Sequence, residues 1–178
     1  MSKQSLPLSE VYGLLEPGPV LLLTTSHLGR ANVMMMSWQT MLEFEPPLVG
    51  CVVSGNGFSY TALDKTRQCV LNIPSVAIAA QAVACGNVSG RDVDKFKANG
   101  LTPLPAALVK APLIAQCFAN LECRVVDTRL KNRYNFFVLE VVKAWVEPDW
   151  RQAKTLHHRG YGEFAVDGDI VKLNSKAR

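Results

Sequence analysis

The sequence predicts a mainly β protein, an antiparallel barrel carrying a few helices, and three observations lead there. Seven to eight short segments are rich in Val, Leu, Ile, Phe and Thr, the residue types that pack well on a pleated surface. Most connections between them are hairpin-length and hold turn residues such as His27-Leu28-Gly29-Arg30 and Asp167-Gly168-Asp169. Helical stretches are too few for the alternation of strand and helix that a doubly wound parallel sheet requires.

Taken in order, Leu6–Leu15 carries Leu8, Val11, Leu14 and Leu15 at helical spacing before Glu16-Pro17-Gly18-Pro19 stops it. Val20–Ser26 is a strand, and the turn at His27–Arg30 returns the chain into Ala31–Trp38 as a hairpin. Glu43-Phe44-Glu45-Pro46-Pro47 breaks the chain, because proline removes a ladder donor and restricts the residue before it. Glu43 and Glu45 read there as two solvated carboxylates. Leu48–Val53 is a short strand that empties into Ser54-Gly55-Asn56-Gly57-Phe58-Ser59-Tyr60, after which Thr61–Lys65 starts a helix with Ser59 as its expected N-cap. Gln68–Ile73 is a strand closed by Pro74. Val76–Cys85 is an alanine-rich helix, apolar nearly all round, suited to a core or a subunit interface. Ser89–Lys97 is a second short helix starting near Ser89 or Asp92 and ended by Asn99-Gly100, and Leu101–Ala111 is a proline-punctuated loop. Ile114–Val126 and Tyr134–Glu147 are long strands across the charged turn Asp127–Arg133, and Tyr161–Val166 with Ile170–Leu173 form a last hairpin across Asp167-Gly168-Asp169.

Composition sets bounds on function. With 178 residues, 48% apolar and 19% charged, the chain is expected to form one domain over residues 1–178 with a full core. No apolar run reaches the roughly 18–20 residues of a membrane span, and no long apolar region follows Met1-Ser2-Lys3-Gln4-Ser5, so a cytoplasmic protein without a membrane partner is expected. Cys51, Cys69, Cys85, Cys117 and Cys123 are odd in number and contain no C-x-x-C pair, which reads as buried, reduced thiols. Cys117 and Cys123 would share a strand face, and a redox pair there is the weaker reading. The net charge of +4 arises mostly in Arg151–Arg178, where basic residues are scattered among apolar ones, as on a solvated surface.

Several enzyme classes lack their parts. There is no H-E-x-x-H, no Walker-type GKS/GKT, no G-x-S-x-G and no His/Cys ligand cluster, so neither a metal nor a catalytic side chain is assigned. Gly55–Tyr60 opens like G-x-G-x-x-G but has Tyr60 at the third glycine, amid β structure that contradicts a Rossmann unit. Adjacent His157 and His158 would diverge on a strand and read as an exposed or hydrogen-bonded pair, with a role at a ligand rim as the weaker reading. What remains is polar and planar groups (Asn32, Ser37, Trp38, Gln39 and Thr40) framing the apolar run Val33–Met36, next to a strand, Gly-containing loop and helix N-terminus suited to a phosphate. The combination fits a cofactor with a flat ring and a phosphate tail, which would carry redox chemistry for a protein without its own. A small-barrel nucleic-acid-binding module is the non-enzyme alternative, prompted by a pI near 8.9. It is disfavoured because aromatic and basic residues do not alternate along any strand.

Fragments spread along almost the whole chain carry a resemblance: Gly18–Thr25, Asn32-Val33-Met34-Met35-Met36-Ser37-Trp38, Pro46-Pro47-Leu48-Val49-Gly50, Leu71-Asn72-Ile73-Pro74, Gly90-Arg91-Asp92-Val93-Asp94-Lys95-Phe96 and Leu121-Glu122-Cys123. In this order they resemble the flavin reductase-like proteins with an FMN-binding split barrel, especially the flavoredoxin branch. The resemblance implies FMN as cofactor, NADH or NADPH as electron donor, and a homodimer with the flavin near its interface. Asn32, Ser37 and Trp38, with Gln39, would meet the ring and ribityl chain. Ser59, with Ser54, Asn56 and Tyr60 nearby, would take the phosphate; Lys95 would complement its charge, and Phe164 would lie by the isoalloxazine. His157 and Tyr134 are weaker candidates. The loop Ser54–Thr61 departs from the family in lacking an Arg or Lys, which leaves the phosphate to backbone N–H groups and Lys95. The resemblance implies an NAD(P)H-dependent flavin reductase, or alternatively a flavoredoxin-type carrier exchanging electrons with a redox protein.

Overall fold

The computed structural model describes residues 18–171 and 173. Its main sheet has seven antiparallel strands in the order β2-β1-β5-β8-β9-β4-β3. These are β1 (Leu21–His27), β2 (Arg30–Met36), β3 (Gln39–Phe44), β4 (Pro47–Val52), β5 (Gln68–Ile73), β8 (Ala119–Asp127) and β9 (Phe136–Val146). Two-stranded sheets add β6 (Pro103–Leu104) with β7 (Leu113–Ile114), and β10 (Leu156–Gly160) with β11 (Glu163–Val166). The helices are α1 (Phe58–Thr66), α2 (Ala79–Asn87), α3 (Lys95–Ala98) and α4 (Lys131–Tyr134).

Strand alternation sorts the apolar residues into two cores. Leu21, Leu23, Cys51, Cys69, Leu71, Cys123, Phe137 and Leu139 point into the curled sheet with Leu63 of α1, forming the barrel interior. The intervening Leu22 and Val33 turn the other way, to Ile78, Ala82 and Cys85 of the α2 region and Phe96 of α3. α1 thus packs on the barrel core, and α2 covers β1 and β2 from outside.

On the outer face, Glu122 is fully buried beneath the segment 106–113. Its carboxylate accepts hydrogen bonds from the backbone N–H of Ala107 (2.9 Å), Leu108 (2.6 Å) and Val109 (3.2 Å) and from Trp145 Nε1 (2.8 Å). Burial pushes this carboxyl up, but the bonds from Ala107, Trp145, Leu108 and Val109 outweigh it and hold the group below its ordinary value. Beside it, Asn72 Oδ1 accepts from Ile114 N (3.0 Å) and Asn120 Nδ2 (2.8 Å), tying the same connection to β5 and β8.

Several boundaries differ from expectation. Residues 39–44 form β3 rather than a lead into a break: Glu45-Pro46 is a cis turn, and β3 pairs with β4 through an irregularity between Met41 and Glu43. α1 starts at Phe58 with Gly57 as N-cap, so Ser59 sits inside the first turn and is not the cap. The Ser89–Lys97 helix shrinks to α3, because Asp94 caps it by accepting from Phe96 N and Lys97 N. The α2 region is not buried all round: Ile78, Ala82 and Cys85 are buried, while Val76 is 41% exposed. The last hairpin joins β10 to β11 through Tyr161 (φ 50°) and Gly162 (φ 81°), and the described residues after Val166 are in no strand, so the Asp-Gly signal at 167–169 marks no hairpin. The helix expected over Leu6–Leu15 lies outside the described residues. The five cysteines are free and buried; Cys123 belongs to the barrel core and Cys117 to the α2 core, which separates the pair weighed as a redox couple. Burial pushes the Cys51 thiol up to about 12 and raises that of Cys117 as well.

Glu122→Gln replaces a carboxylate that faces four donors with an amide that must point its own N–H₂ at some of them. Urea unfolding should show a loss of about 2–4 kcal/mol. Because the folded-state pKa is lowered, the wild-type advantage is present above the usual glutamate range and fades as pH falls through the lowered value. A variant as stable as wild type at neutral pH would refute this role for Glu122.

Candidate functional site

The site is assembled where β2, the β4–α1 loop and the α2–α3 turn meet. Asn32 on β2 is 4% exposed, and its Nδ2 donates to the Oγ of Ser59, 2% exposed, at 2.8 Å. Gly90 packs directly on that amide: a Cβ there would lie 2.0 Å from Asn32 Oδ1, so only glycine admits this arrangement. Three segments far apart in sequence are thereby fixed around one point. The serine hydroxyl, used as an acceptor toward Asn32, keeps its proton for another partner.

A cleft of about 390 Å³ opens here, lined among others by Asn32, Ser54, Asn56, Ser59, Arg91 and Lys95. The first backbone N–H groups of α1 have no partners within the helix and carry its positive end. Arg91 reaches across the mouth, its Nη2 donating to Asn56 O (3.1 Å). Arg30 braces the turn that carries it: its Nη2 donates to Gly90 O and to Arg91 O (3.1 Å), and its guanidinium lies 5.1 Å from the Phe58 ring centroid. Lys95 is 5% exposed and donates from Nζ to Cys85 O at 2.6 Å. Burial lowers the pKa of this ammonium, and Cys85 only partly offsets that. A bound anion would restore what burial takes away. Cations, N–H groups and hydroxyls converge on one small volume, which is the donor set of an anion site.

A second cleft, about 460 Å³, adjoins it and shares Met34 and Ser54 with the first. Met35, Met36, Trp38, Asn135 and His158 are among its other walls, and Ser37 and Val52 also line it. The ladder bond from Val52 N to Trp38 O (3.0 Å) holds the tryptophan segment against β4, leaving Trp38 55% exposed. Asn135, at φ 55°, follows α4 and accepts from Val53 N through its carbonyl (3.0 Å), and its side chain lies where a Cβ on Gly55 would collide at 2.9 Å. The cleft is mostly apolar and open to solvent, which suits a flat ring.

Of the residues singled out from sequence, Asn32, Ser54, Asn56, Ser59 and Lys95 line the anion cleft, and Ser37 and Trp38 line the ring cleft. Gln39 is absent from both walls, its Nε2 donating to Pro19 O (3.3 Å). Tyr60 packs edge-on against Phe137 at 5.4 Å and belongs to the barrel core. Phe164 lies in a separate groove with Ala80, Val83, Ala84, Asn87 and Leu156, and its ring is 5.1 Å from that of His158, centroid to centroid. The two histidines do diverge: His158 faces the ring cleft, whereas His157 Nε2 meets Asp167 Oδ1 and Thr155 Oγ1, each at 2.8 Å. Tyr134 is exposed beneath Arg133 and lines neither cleft. Sequence reading missed Arg30, Arg91 and Asn135, and weighed a ligand-rim role for His158 only as the weaker reading of the pair. The cation absent from the loop is supplied by Arg91, inside a fragment that already stood out in the sequence. Among the described residues no group of three or more His, Cys, Asp or Glu could hold a metal ion, and no helix is long and apolar enough to cross a membrane.

Comparison with known proteins agrees with this architecture. The chain is 34% identical over 172 residues to YddH, an uncharacterized protein of Escherichia coli (strain K12), covering 89% of this chain and 91% of that one. The flavoredoxin of Desulfovibrio vulgaris (Miyazaki F) superposes with a TM-score of 0.86 at 22% identity, over 99% of each chain. The flavoredoxin of Methanosarcina acetivorans gives 0.82 at 26% identity, covering 99% of this chain and 97% of that one. The family model for the flavin reductase like domain matches residues 14–165. A curled antiparallel sheet of split-barrel type, with a cationic cleft opening into an apolar one, is therefore the frame of a chain that belongs to the flavin reductase-like family.

Proposed function

We propose that the protein is an FMN-binding oxidoreductase whose flavin is reduced by NADH or NADPH. The observation that carries this reading is the junction of the two clefts at Met34 and Ser54: one end collects Arg91, Lys95 and the amino end of α1, the other offers methionine, tryptophan and histidine walls. A flat ring joined to a phosphate monoester matches both ends at once. The names of related structures, two flavoredoxins among them, support the same cofactor. Ser59, Arg91 and Lys95 would hold the phosphate, and Met34, Ser37, Trp38, Asn135 and His158 would border the ring; when bound, the flavin supplies the redox chemistry. The chain's own part is to bind, orient and shield it. A homodimer fits the groove between α2 and β11, where Ala79, Ala80, Val83 and Phe164 leave about 430 Å³ of largely apolar cleft for a second copy. A flavoredoxin-type carrier is the second reading, favoured by the two flavoredoxin likenesses; in it the same site exchanges electrons with a redox protein.

Purified protein should be yellow and bind one FMN per chain; a colourless protein that takes up no added FMN would defeat the proposal. Arg91→Ala removes one charge-assisted contact, worth about 1.5–3 kcal/mol. FMN titrated by fluorescence quenching should bind roughly ten- to a hundredfold more weakly to this variant, with riboflavin affinity unchanged, whereas equal losses for both ligands would place Arg91 outside the phosphate site.

The lowered pKa of Lys95 gives a pH signature. Phosphate favours the charged ammonium, so its contribution to FMN affinity is complete below the lowered pKa of the free protein and is lost as pH rises from there through the higher pKa that bound phosphate restores. FMN affinity relative to riboflavin should therefore decline at alkaline pH in wild type and stay flat in Lys95→Met; parallel profiles would contradict the assignment. Finally, anaerobic mixing of the FMN-loaded protein with NADH or NADPH should bleach the flavin in a stopped-flow trace. A flavin left oxidised by both nucleotides but reduced by a protein donor would replace the reductase reading with the carrier.

A further inference from the structure

One wall of the ring cleft stands on a strand outside the main sheet. His158 is on β10, which pairs with β11 in a two-stranded sheet of its own. A two-stranded hairpin is marginally stable by itself, so its register needs further support. The entering strand is tied at its start, where Val76 N donates to Lys154 O (2.8 Å) and Val20 N donates to Leu156 O (2.7 Å). The tip is irregular, with a register shift between His158 and Gly160 and positive φ at Tyr161 and Gly162. What fixes the returning strand therefore lies at the open end of the hairpin, just past Val166.

That end carries Asp167, whose Asp-Gly signal marks no turn. Its Oδ2 accepts from Thr155 N (2.9 Å) and from Thr155 Oγ1 (2.7 Å), and its Oδ1 meets His157 Nε2 at 2.8 Å. The Thr155 hydroxyl proton is used on Asp167, so Thr155 Oγ1 accepts from His157 Nε2 (2.8 Å), and the network requires a proton on that nitrogen. Thr155 and His157 are two apart, and Asp167 is two beyond Ala165, the register partner of His157, which brings all three to one face. The bond from Thr155 N, with the Thr155 hydroxyl and His157 adding to it, outweighs partial burial and holds the Asp167 carboxyl below its ordinary value.

The opposite face carries His158 and its register partner Phe164, with 5.1 Å between ring centroids. Phe164 and Leu156 rest in the groove beside α2. With β10 tied at its start, a one-residue slip of β11 would carry Phe164 off His158 to the other face. The same slip would take Asp167 away from Thr155 and His157, so the clasp closes only in the observed register.

We propose that Thr155, His157 and Asp167 are positioning residues for the ring end of the site: their clasp sets the register of the β10–β11 hairpin and so holds His158 against the ring of the bound flavin. This rests on the flavin reading of the two clefts and extends it to three side chains that line neither of them.

The test reads ring binding, its dependence on His158, and a signal that needs no flavin. Asp167→Ala should weaken FMN and riboflavin alike, roughly three- to tenfold, the worth of about one hydrogen bond, unlike Arg91→Ala, which separates the two ligands. In a His158→Ala background the same substitution should add no further loss. In flavin-free protein, the nuclear magnetic resonance signals of the His158 ring, one of three histidines in the chain, should shift in Asp167→Ala. Thr155→Val, β-branched like threonine and lacking its hydroxyl, should move all three readouts the same way and serves if Asp167→Ala does not fold. Losses that add in the double variant, a loss confined to FMN, or unmoved His158 signals would overturn the proposal. So would a lowered urea midpoint with ring binding unchanged, which would assign the clasp to stability alone. If wild type takes up neither FMN nor riboflavin, the flavin reading fails, and the His158 signals still decide whether the clasp places that side chain.

Discussion

The buried hydrogen bond from Asn32 to Ser59 is the constraint on which the site depends. It joins an edge-ward position of β2 to the first turn of α1, 27 residues apart, in a place where neither group has water as a substitute. An unpaired amide or hydroxyl at such a position costs about 1–3 kcal/mol, so the two elements hold each other in register. Gly90 extends the constraint to a third segment, because the α2–α3 turn reaches the amide only without a Cβ. Arg91 follows immediately, and that is why a cation absent from the loop still stands over it.

The rest of the barrel is arranged to make this junction rigid. Leu63 anchors α1 in the barrel core, while Ala82 and Cys85 anchor α2 against Leu22 and Val33 on the opposite face of the same strands. β1 and β2 are therefore gripped from both sides. Lys95 ties the second core to the site, since its buried ammonium is held by the carbonyl at the Cys85 position while it borders the cleft. Among the described residues no cluster of His, Cys, Asp or Glu could hold a metal ion, and on the proposed function this arrangement supplies a preorganised field and a shaped wall for a cofactor that carries the reaction.

How much was legible in the sequence follows the range of the interactions involved. β1, β5 and β9 are dense in Leu, Val and Phe and declare themselves locally, and the turn expected at His27–Arg30 forms, with Gly29 and, against its residue type, Leu28 at positive φ. β3 was hidden because most of its side chains are exposed, so polar residues and a proline break masked a strand made by pairing with β4. The final hairpin was misplaced because Asp167-Gly168 is the stronger local signal, whereas the turn forms at Tyr161-Gly162, with a non-glycine residue at positive φ, and is made by the pairing of β10 with β11. At the site, the resemblance brought out residues on β2, in the loop and Lys95, but it passed over Arg91 within one of its own fragments, and Asn135 comes from a segment that periodicity does not connect to them. Tyr60 looked like a phosphate neighbour by proximity in sequence, yet one helical step past Ser59 turns it toward Phe137.

The central claim is that one continuous groove holds a phosphate at the Ser59–Arg91–Lys95 end and a flat ring at the Met34–Trp38 end. A crystal structure of the protein with FMN tests it most directly. The account predicts phosphate oxygens within about 3 Å of Ser59 Oγ and the Arg91 guanidinium, with the ring against Met34, Trp38 and Asn135. A flavin lodged in the groove beside Phe164, or one whose phosphate points away from Arg91 and Lys95 into solvent, would contradict it.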